Sequence, residues 1–362
     1  MNPVWMATML VALAAAFVWS ANRRWQLLKV GRDVDRTDNL IERLKGTYEY
    51  AFVQKKMNYY PLAGAAHKVI FIGFLALLLN SIILWGRGFD PTFSLFILGD
   101  EPVHLPVFGD VGVGHAYEFV KDVTASLVVL GTLVFLYYRV IKHERRMTLS
   151  GEGVLILGII LAMMIADMVY SGASMVLWHR YRDLRCGADD AAVCHRIAML
   201  TARFHGAPEG PIAWSLYPAP AGSFFAKVLE DAGPEQLGLF ALAGFWTHAT
   251  LVMVFLNLLP HSKHFHIITA IPNVFARDIG PRGRLPYMGS QESIGEMVMA
   301  AAETPDTAEP VGAARIEDFT WKAILDFYTC TECGRCTDNC PAHKTGKMLS
   351  PKQLTLDLRD HL

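Results

Sequence analysis

Residues 330–341, CTECGRCTDNCP, place four cysteines at C-x2-C-x2-C-x3-C-P spacing near the end of the chain. Four soft thiolates in so short a stretch are the ligand pattern of a [4Fe-4S] cluster. Cys330, Cys333, Cys336 and Cys340 are the expected ligands. Gly334 permits a sharp backbone path between them, and Pro341 keeps a helix from running back through the last one. Zinc is the plainer alternative, but zinc knuckles separate two C-x2-C pairs by a longer loop. Where two clusters are bound, the fourth cysteine of each run ligates the other cluster, and no second run follows Cys340. The expectation is therefore a piece of a longer protein that supplies the partner run, with one locally completed cluster as the alternative. The closing LTLDLRDHL, a helical pattern without a cap, agrees with a cut chain.

Histidines suggest where electrons would go. His248 lies in an apolar run, and His266 follows it by 18 residues, five helical turns, so both fall on nearly one face. A straight helix would set them about 27 Å apart, a spacing suited to two haems stacked across a bilayer. His67, at the start of another apolar run, matches the depth of His266. Plainer roles are open for each: a packed, hydrogen-bonded His248, and interfacial places for His67, His261, His264 and His266. For proton handling, Asp167 sits midway along an apolar run, where an unpaired carboxylate is expensive. His115, Glu118 and Asp122 share a helix face, with Lys121 beside them. Proton delivery to a quinone is one reading of this group; an ion pair with Lys121 that holds helices together is the other.

The elements that must position these residues are apolar. The chain has 362 residues, is 52% hydrophobic and has a mean hydropathy of +0.28. Its apolar residues clump into five runs of spanning length, roughly 3–20, 67–86, 119–140, 152–177 and 237–259. No Lys or Arg precedes the first run and Arg23-Arg24 follow it, as expected of a retained anchor with its N-terminus outside. Counting then puts 21–66, 141–151 and everything after 259 inside, where the basic clusters fall. Cys186 and Cys194 land outside, where a disulfide persists, and the four-cysteine run lands inside, where thiolates stay reduced. The outer stretch 178–236 reads either as a lid over a quinone site or as an ordered cap. The charged segment 32–57 reads as amphipathic surface helices, a docking face or a solvated linker. Residues 276–315 read as a flexible linker with one short helix near 290–302. A formal net charge of -1 gives no reason to expect a nucleic-acid partner.

The stretch HATLVMVFLNLLPHSKHFH, 248–266, resembles the last transmembrane helix of the nitrate reductase gamma subunit family of dihaem cytochromes b. There two axial histidines stand 18 apart around a Pro-x-Ser-Lys/Arg turn. The continuation IITAIPNVF, the linker and the cysteine run resemble membrane-bound iron-sulfur oxidoreductases related to heterodisulfide reductase, including electron-transfer flavoprotein:menaquinone oxidoreductases. The resemblance covers essentially the whole chain. It implies an all-α membrane protein: a five-helix cytochrome b-like bundle over 1–275, then the linker, then the start of a cytoplasmic α-helical ferredoxin-like [4Fe-4S] domain over 316–362. It also implies respiratory electron transfer in a bacterial cytoplasmic membrane, between a cytoplasmic electron-transfer flavoprotein and menaquinone, through [4Fe-4S] clusters and haem b.

The family's second span offers two histidines ten apart, whereas here His67 is present and position 77 is Leu. The resemblance therefore implies His67 and His266 for an inner haem. It leaves His248 in need of a partner such as His115 or His179, so one haem is expected and a second stays open. The relatives' second cysteine run and cysteine-rich catalytic region are not in this chain. Two other functions remain open at this point: the same path run backwards, from menaquinol to a cytoplasmic disulfide or sulfur compound, and a haem-free anchor for an iron-sulfur partner. A transporter fits less well, since no paired repeat is evident.

Overall fold

The structure is a computed structural model, and it describes all residues except 97, 100–102, 106–108, 185–189, 207–209, 282, 284–288, 306 and 309–311. Its elements in chain order are α1 (Pro3–Leu28), α2 (Leu40–Thr47), α3 (Pro61–Phe89), β1 (Val103–Leu105), β2 (Gly109–Val111), α4 (Val113–Leu136), α5 (Gly151–Tyr181), α6 (Ala191–Thr201), α7 (Pro220–Val228) and α8 (Pro234–Leu258). The chain continues through α9 (His266–Phe275), α10 (Gln291–Glu303), α11 (Trp321–Thr329), α12 (Arg335–Asp338), α13 (Pro341–Lys344) and α14 (Pro351–His361). Among the described residues the regular elements are helices, apart from one antiparallel ribbon, in which Val103 pairs with Val111 and Leu105 with Gly109, and an isolated bridge between Arg32 and Thr320.

Five helices are long and apolar enough to cross a membrane: Pro3–Leu28, Pro61–Phe89, Val113–Ile141, Gly151–Tyr181 and Pro234–His261. Each contains one of the apolar runs and extends past it, because helical hydrogen bonding carries on into the polar turns that flank hydrocarbon. Local chemistry explains the starts. Pro61 opens α3 at a position where no amide is needed, and the Ser150 hydroxyl accepts from the Gly153 amide to cap α5.

The chain divides into two compact units. The first comprises Met1–Ala16, Met57–His143 and Ser150–Asn257. Its core gathers Leu84 from α3, Tyr170, Val176 and Leu177 from α5, Ile197 and Leu200 from α6, and Leu237 and Phe245 from α8. Close approach needs small residues: a Cβ on Gly244 would stand 2.5 Å from the Ala166 carbonyl oxygen of α5.

The second unit comprises Phe17–Lys56, Glu144–Leu149 and Leu258–Leu362. Here α9 and α14 pack on α11, and α2 packs on α9. The segment 32–57 is tied down. The fully buried Arg43 guanidinium donates to the carbonyls of Asp38, Phe275 and Arg277, and so closes the C-terminal end of α9. Arg32 exchanges backbone hydrogen bonds with Phe319 and Trp321, and the Trp321 indole donates to the Val34 carbonyl. Helix α10 occupies the place of the helix expected near 290–302.

Candidate functional site

Inside the first unit an ionic cluster is built from four spanning helices. Lys121 of α4 is buried, with Nζ 2.8 Å from Glu118 Oε1 and 3.3 Å from Asp167 Oδ2 of α5. Asn80 Nδ2 of α3 donates to Asp167 Oδ1 at 2.8 Å, and Ser171 Oγ approaches Glu118 Oε1 at 3.4 Å. His248 of α8 brings Nδ1 to 3.9 Å from Asp167 Oδ1. The same Nδ1 lies 3.2 Å from the Met163 carbonyl, which only accepts, so Nδ1 carries the ring hydrogen. Nε2 is then the electron-pair donor, and it faces Ser81 Oγ at 3.3 Å.

Of the four residues expected to handle protons, Glu118 and Asp167 meet here through Lys121; His115 and Asp122 go elsewhere. Asp122 Oδ2 accepts from the amides of Ala221 and Gly222 at the start of α7, where the helix dipole favours a carboxylate. His115 packs edge-on to Tyr217, with ring centroids 6.5 Å apart. The sequence reading missed Asn80 and Ser81, whose only signal was polarity inside an apolar run.

The cysteine run sits in the second unit. Cys330 ends α11, Cys336 lies in α12, and Cys340 precedes Pro341 at the start of α13. Between them the backbone turns through two left-handed residues, Glu332 (φ 57) and Gly334 (φ 75). Glycine is required at the second, since a Cβ there would stand 2.0 Å from the Arg146 carbonyl oxygen. Basic side chains surround the loop. Arg146 Nη1 donates to the Cys333 carbonyl at 2.7 Å, and Arg335 Nη1 donates to the Lys56 carbonyl at 2.7 Å. Glu332 bridges Lys263 Nζ at 2.8 Å and Arg359 Nη2 at 3.0 Å.

Burial pushes the Cys330 thiol up. Cys333 is held below its ordinary value, because the Arg335 amide and guanidinium outweigh its burial. All four cysteines of the run are free. Among the described residues no three His, Cys, Asp or Glu side chains converge as they would around a single metal ion. Four free thiols along a turning loop with cationic neighbours are a donor set of the kind that holds an anionic iron-sulfur cluster. Cys194 is disulfide-bonded, and Cys186, its expected partner, lies outside the described residues.

His266 opens α9, and its Nδ1 lies 3.1 Å from the Lys263 carbonyl. Burial holds its ring neutral, the form in which imidazole donates an electron pair. Lys263 therefore touches His266 through its backbone and Glu332 of the cysteine loop through its ammonium. His67 lies in the second turn of α3.

Similarity to known proteins extends over nearly the whole chain. It is 29% identical over 346 residues, 96% of this chain, to "Probable iron-sulfur-binding oxidoreductase FadF" of Bacillus subtilis. It is 28% identical over 347 residues, 95% of this chain, to the EtfAB:quinone oxidoreductase of Syntrophomonas wolfei. The chain is thus similar, over most of its length, to proteins named as iron-sulfur-binding and quinone oxidoreductases. It spans 41% of the length of each of these two relatives. A shorter match, 40% identical over 60 residues, covers 17% of this chain and 9% of "Probable membrane-anchored ferredoxin" of Chromohalobacter salexigens. No family model matches, and no solved structure does. The names of these relatives do not bear on the nitrate reductase gamma resemblance of residues 248–266.

Proposed function

We propose that this chain is the membrane-embedded and cluster-bearing part of an oxidoreductase that moves electrons between a soluble electron-transfer flavoprotein and menaquinone. The observation that carries the reading is the run of four free cysteines, in a loop lined by basic side chains, in a chain with five helices of membrane-spanning length. The Syntrophomonas relative, named for a flavoprotein and a quinone, supports the choice of donor and acceptor.

Cys330, Cys333, Cys336 and Cys340 would hold a [4Fe-4S] cluster, and His266 with His67 would hold haem b. Both groups, when bound, supply the one-electron chemistry that thiols, imidazoles and carboxylates lack. The residues of the chain hold, orient and protonate. The Lys263 carbonyl fixes the His266 ring through Nδ1 and leaves Nε2 as the ligand atom. Met163 fixes the His248 ring in the same way. With Leu at position 77, however, His248 stays in the ionic cluster beside Asp167 and Ser81. Reduction of a quinone takes up two protons for two electrons. Glu118 and Asp167, both paired with Lys121, are the buried carboxylates that would take up protons from water and pass them on. The positive-inside pattern supports a cytoplasmic place for the cysteine run in a bacterial membrane.

The test is a reduced-minus-oxidised visible spectrum of the purified protein, with haem measured as pyridine haemochrome and with iron and acid-labile sulfide counted per chain. One haem b with four non-haem irons and four sulfides is the expected result. Protein lacking both haem and sulfide would refute the reading. Two haems would remove His248 from the ionic cluster and make it a ligand.

A further inference from the structure

Helix α2 is amphipathic the wrong way round for a helix in water. Its buried face is Arg43, Gly46 and Thr47, with the Arg43 side chain fully enclosed. Its outward stripe is Leu40, Ile41, Leu44 and, one turn on, Tyr48, with Ile41 84% and Tyr48 67% exposed. Positions 40, 41, 44 and 48 fall on one side of a 3.6-residue helix, so the stripe is continuous. Arg43 is held there by the backbone carbonyls at the end of α9, which fixes which side of α2 faces out. Helix α9 adds two half-exposed isoleucines, Ile268 and Ile271.

What covers the stripe follows from how α2 is tethered. Eleven residues separate Leu28, the end of one spanning helix, from Leu40. Thirteen separate Thr47 from Pro61, where the next spanning helix begins. Seven residues separate Leu258, the end of α8, from His266, where α9 begins. Each helix of the pair is thus leashed to a membrane span, and Phe52, Val53 and Tyr59 of the second leash are exposed as well. Aromatic rings at Tyr48 and Tyr59 and the basic Lys45 are the residue types that sit at the headgroup level. We propose that α2, backed by α9, is an interfacial helix whose Leu40, Ile41, Leu44 and Tyr48 enter the acyl region of a phospholipid leaflet. This rests on the chain being a multi-pass membrane protein and not on its redox chemistry.

The experiment places the photocrosslinker benzoylphenylalanine at Ile41 and, separately, at Leu44 of the full chain in native membranes, and identifies the adducts by mass. Ile72, exposed on α3, is the lipid-facing reference, and Gln353, exposed on α14, is the water-facing one. The expected result is phospholipid adducts at Ile41 and Leu44 at a yield comparable to Ile72 and at least about tenfold above Gln353. Adducts to a second protein at Ile41 and Leu44 would overturn the proposal in favour of a docking face. Yields at the Gln353 level, with Ile72 labelled by lipid, would overturn it in favour of a solvated helix. Failure at Ile72 as well would refute the membrane reading itself.

Discussion

Neutralising Asp167 removes one of the two carboxylates that hold Lys121, and the geometry sets the size of the loss. At an effective dielectric of about 20, a unit pair at 3.3 Å attracts by about 5 kcal/mol and one at 2.8 Å by about 6 kcal/mol. Breaking a buried pair costs about 3–5 kcal/mol once relaxation is included. Asp167→Asn leaves Lys121 with Glu118 and keeps the shape that Asn80 contacts, so the lower end applies, about 3 kcal/mol. Lys121→Met strands two carboxylates at once and belongs at the upper end, about 5 kcal/mol. The double variant removes both members of one pair and should cost less than the sum of the singles by roughly 2–3 kcal/mol. Reversible unfolding of the purified protein in mixed dodecyl maltoside and SDS micelles, followed by far-UV circular dichroism, reads all three. Single costs below about 1 kcal/mol that simply add would refute the idea that this cluster holds the spans together. Where Asp167→Asn folds, its rate with a soluble menaquinone analogue separates the two roles. A carboxylate that exchanges protons predicts a loss of about 100-fold, whereas a structural one predicts little change.

Other expectations follow from the second unit. Gly334→Ala puts a methyl group against the Arg146 carbonyl and forces a left-handed alanine, so iron and sulfide per chain should fall sharply while the helical signal persists. Serine at any one of Cys330, Cys333, Cys336 or Cys340 should likewise lower sulfide content, and treatment with a strong iron chelator should leave four reactive thiols; an unchanged iron count in all four variants would remove the cluster reading. Glu332→Gln leaves Lys263 without its carboxylate and should destabilise the second unit by about 3 kcal/mol, seen as faster amide exchange over both 262–270 and 328–336. Arg43→Met strands three carbonyls and should cost about 3 kcal/mol, with increased exchange at the end of α9 and little change in α5.

The spans were legible because a bilayer imposes one length and one composition on any helix that crosses it. Their ends were not, since Arg23 and Arg24 continue α1 as regular helix although their charges belong outside hydrocarbon. Asp167 announced itself as a carboxylate in an apolar run, but its partner Asn80 is uncharged and sits unmarked among leucines. Spacing placed Asp122 with Glu118 on one face of α4, yet spacing carries no information about α7, whose amides claim Asp122 a hundred residues later. Lys263 follows the last apolar run in sequence. Its bond to Glu332 crosses 69 residues of sequence and is visible only once the chain has folded. Arg43 inverts the usual rule that arginine faces water, and no periodicity analysis would assign it to the inside.

The carboxylate of Asp122 acts as a hasp. It fastens the start of α7, and with it the stretch that follows α6, to the third spanning helix, while Gly172 of α5 gives way to Phe225 of α7 so closely that a Cβ there would stand 2.6 Å from it. Lifting α7 would leave a buried anion with no donors and open a gap beside Glu118 and Ser171, so the end of the bundle that α7 covers does not swing open at thermal cost. Under the proposed function, a quinone that takes protons beside Lys121 would therefore have to enter sideways, out of the bilayer and between helices.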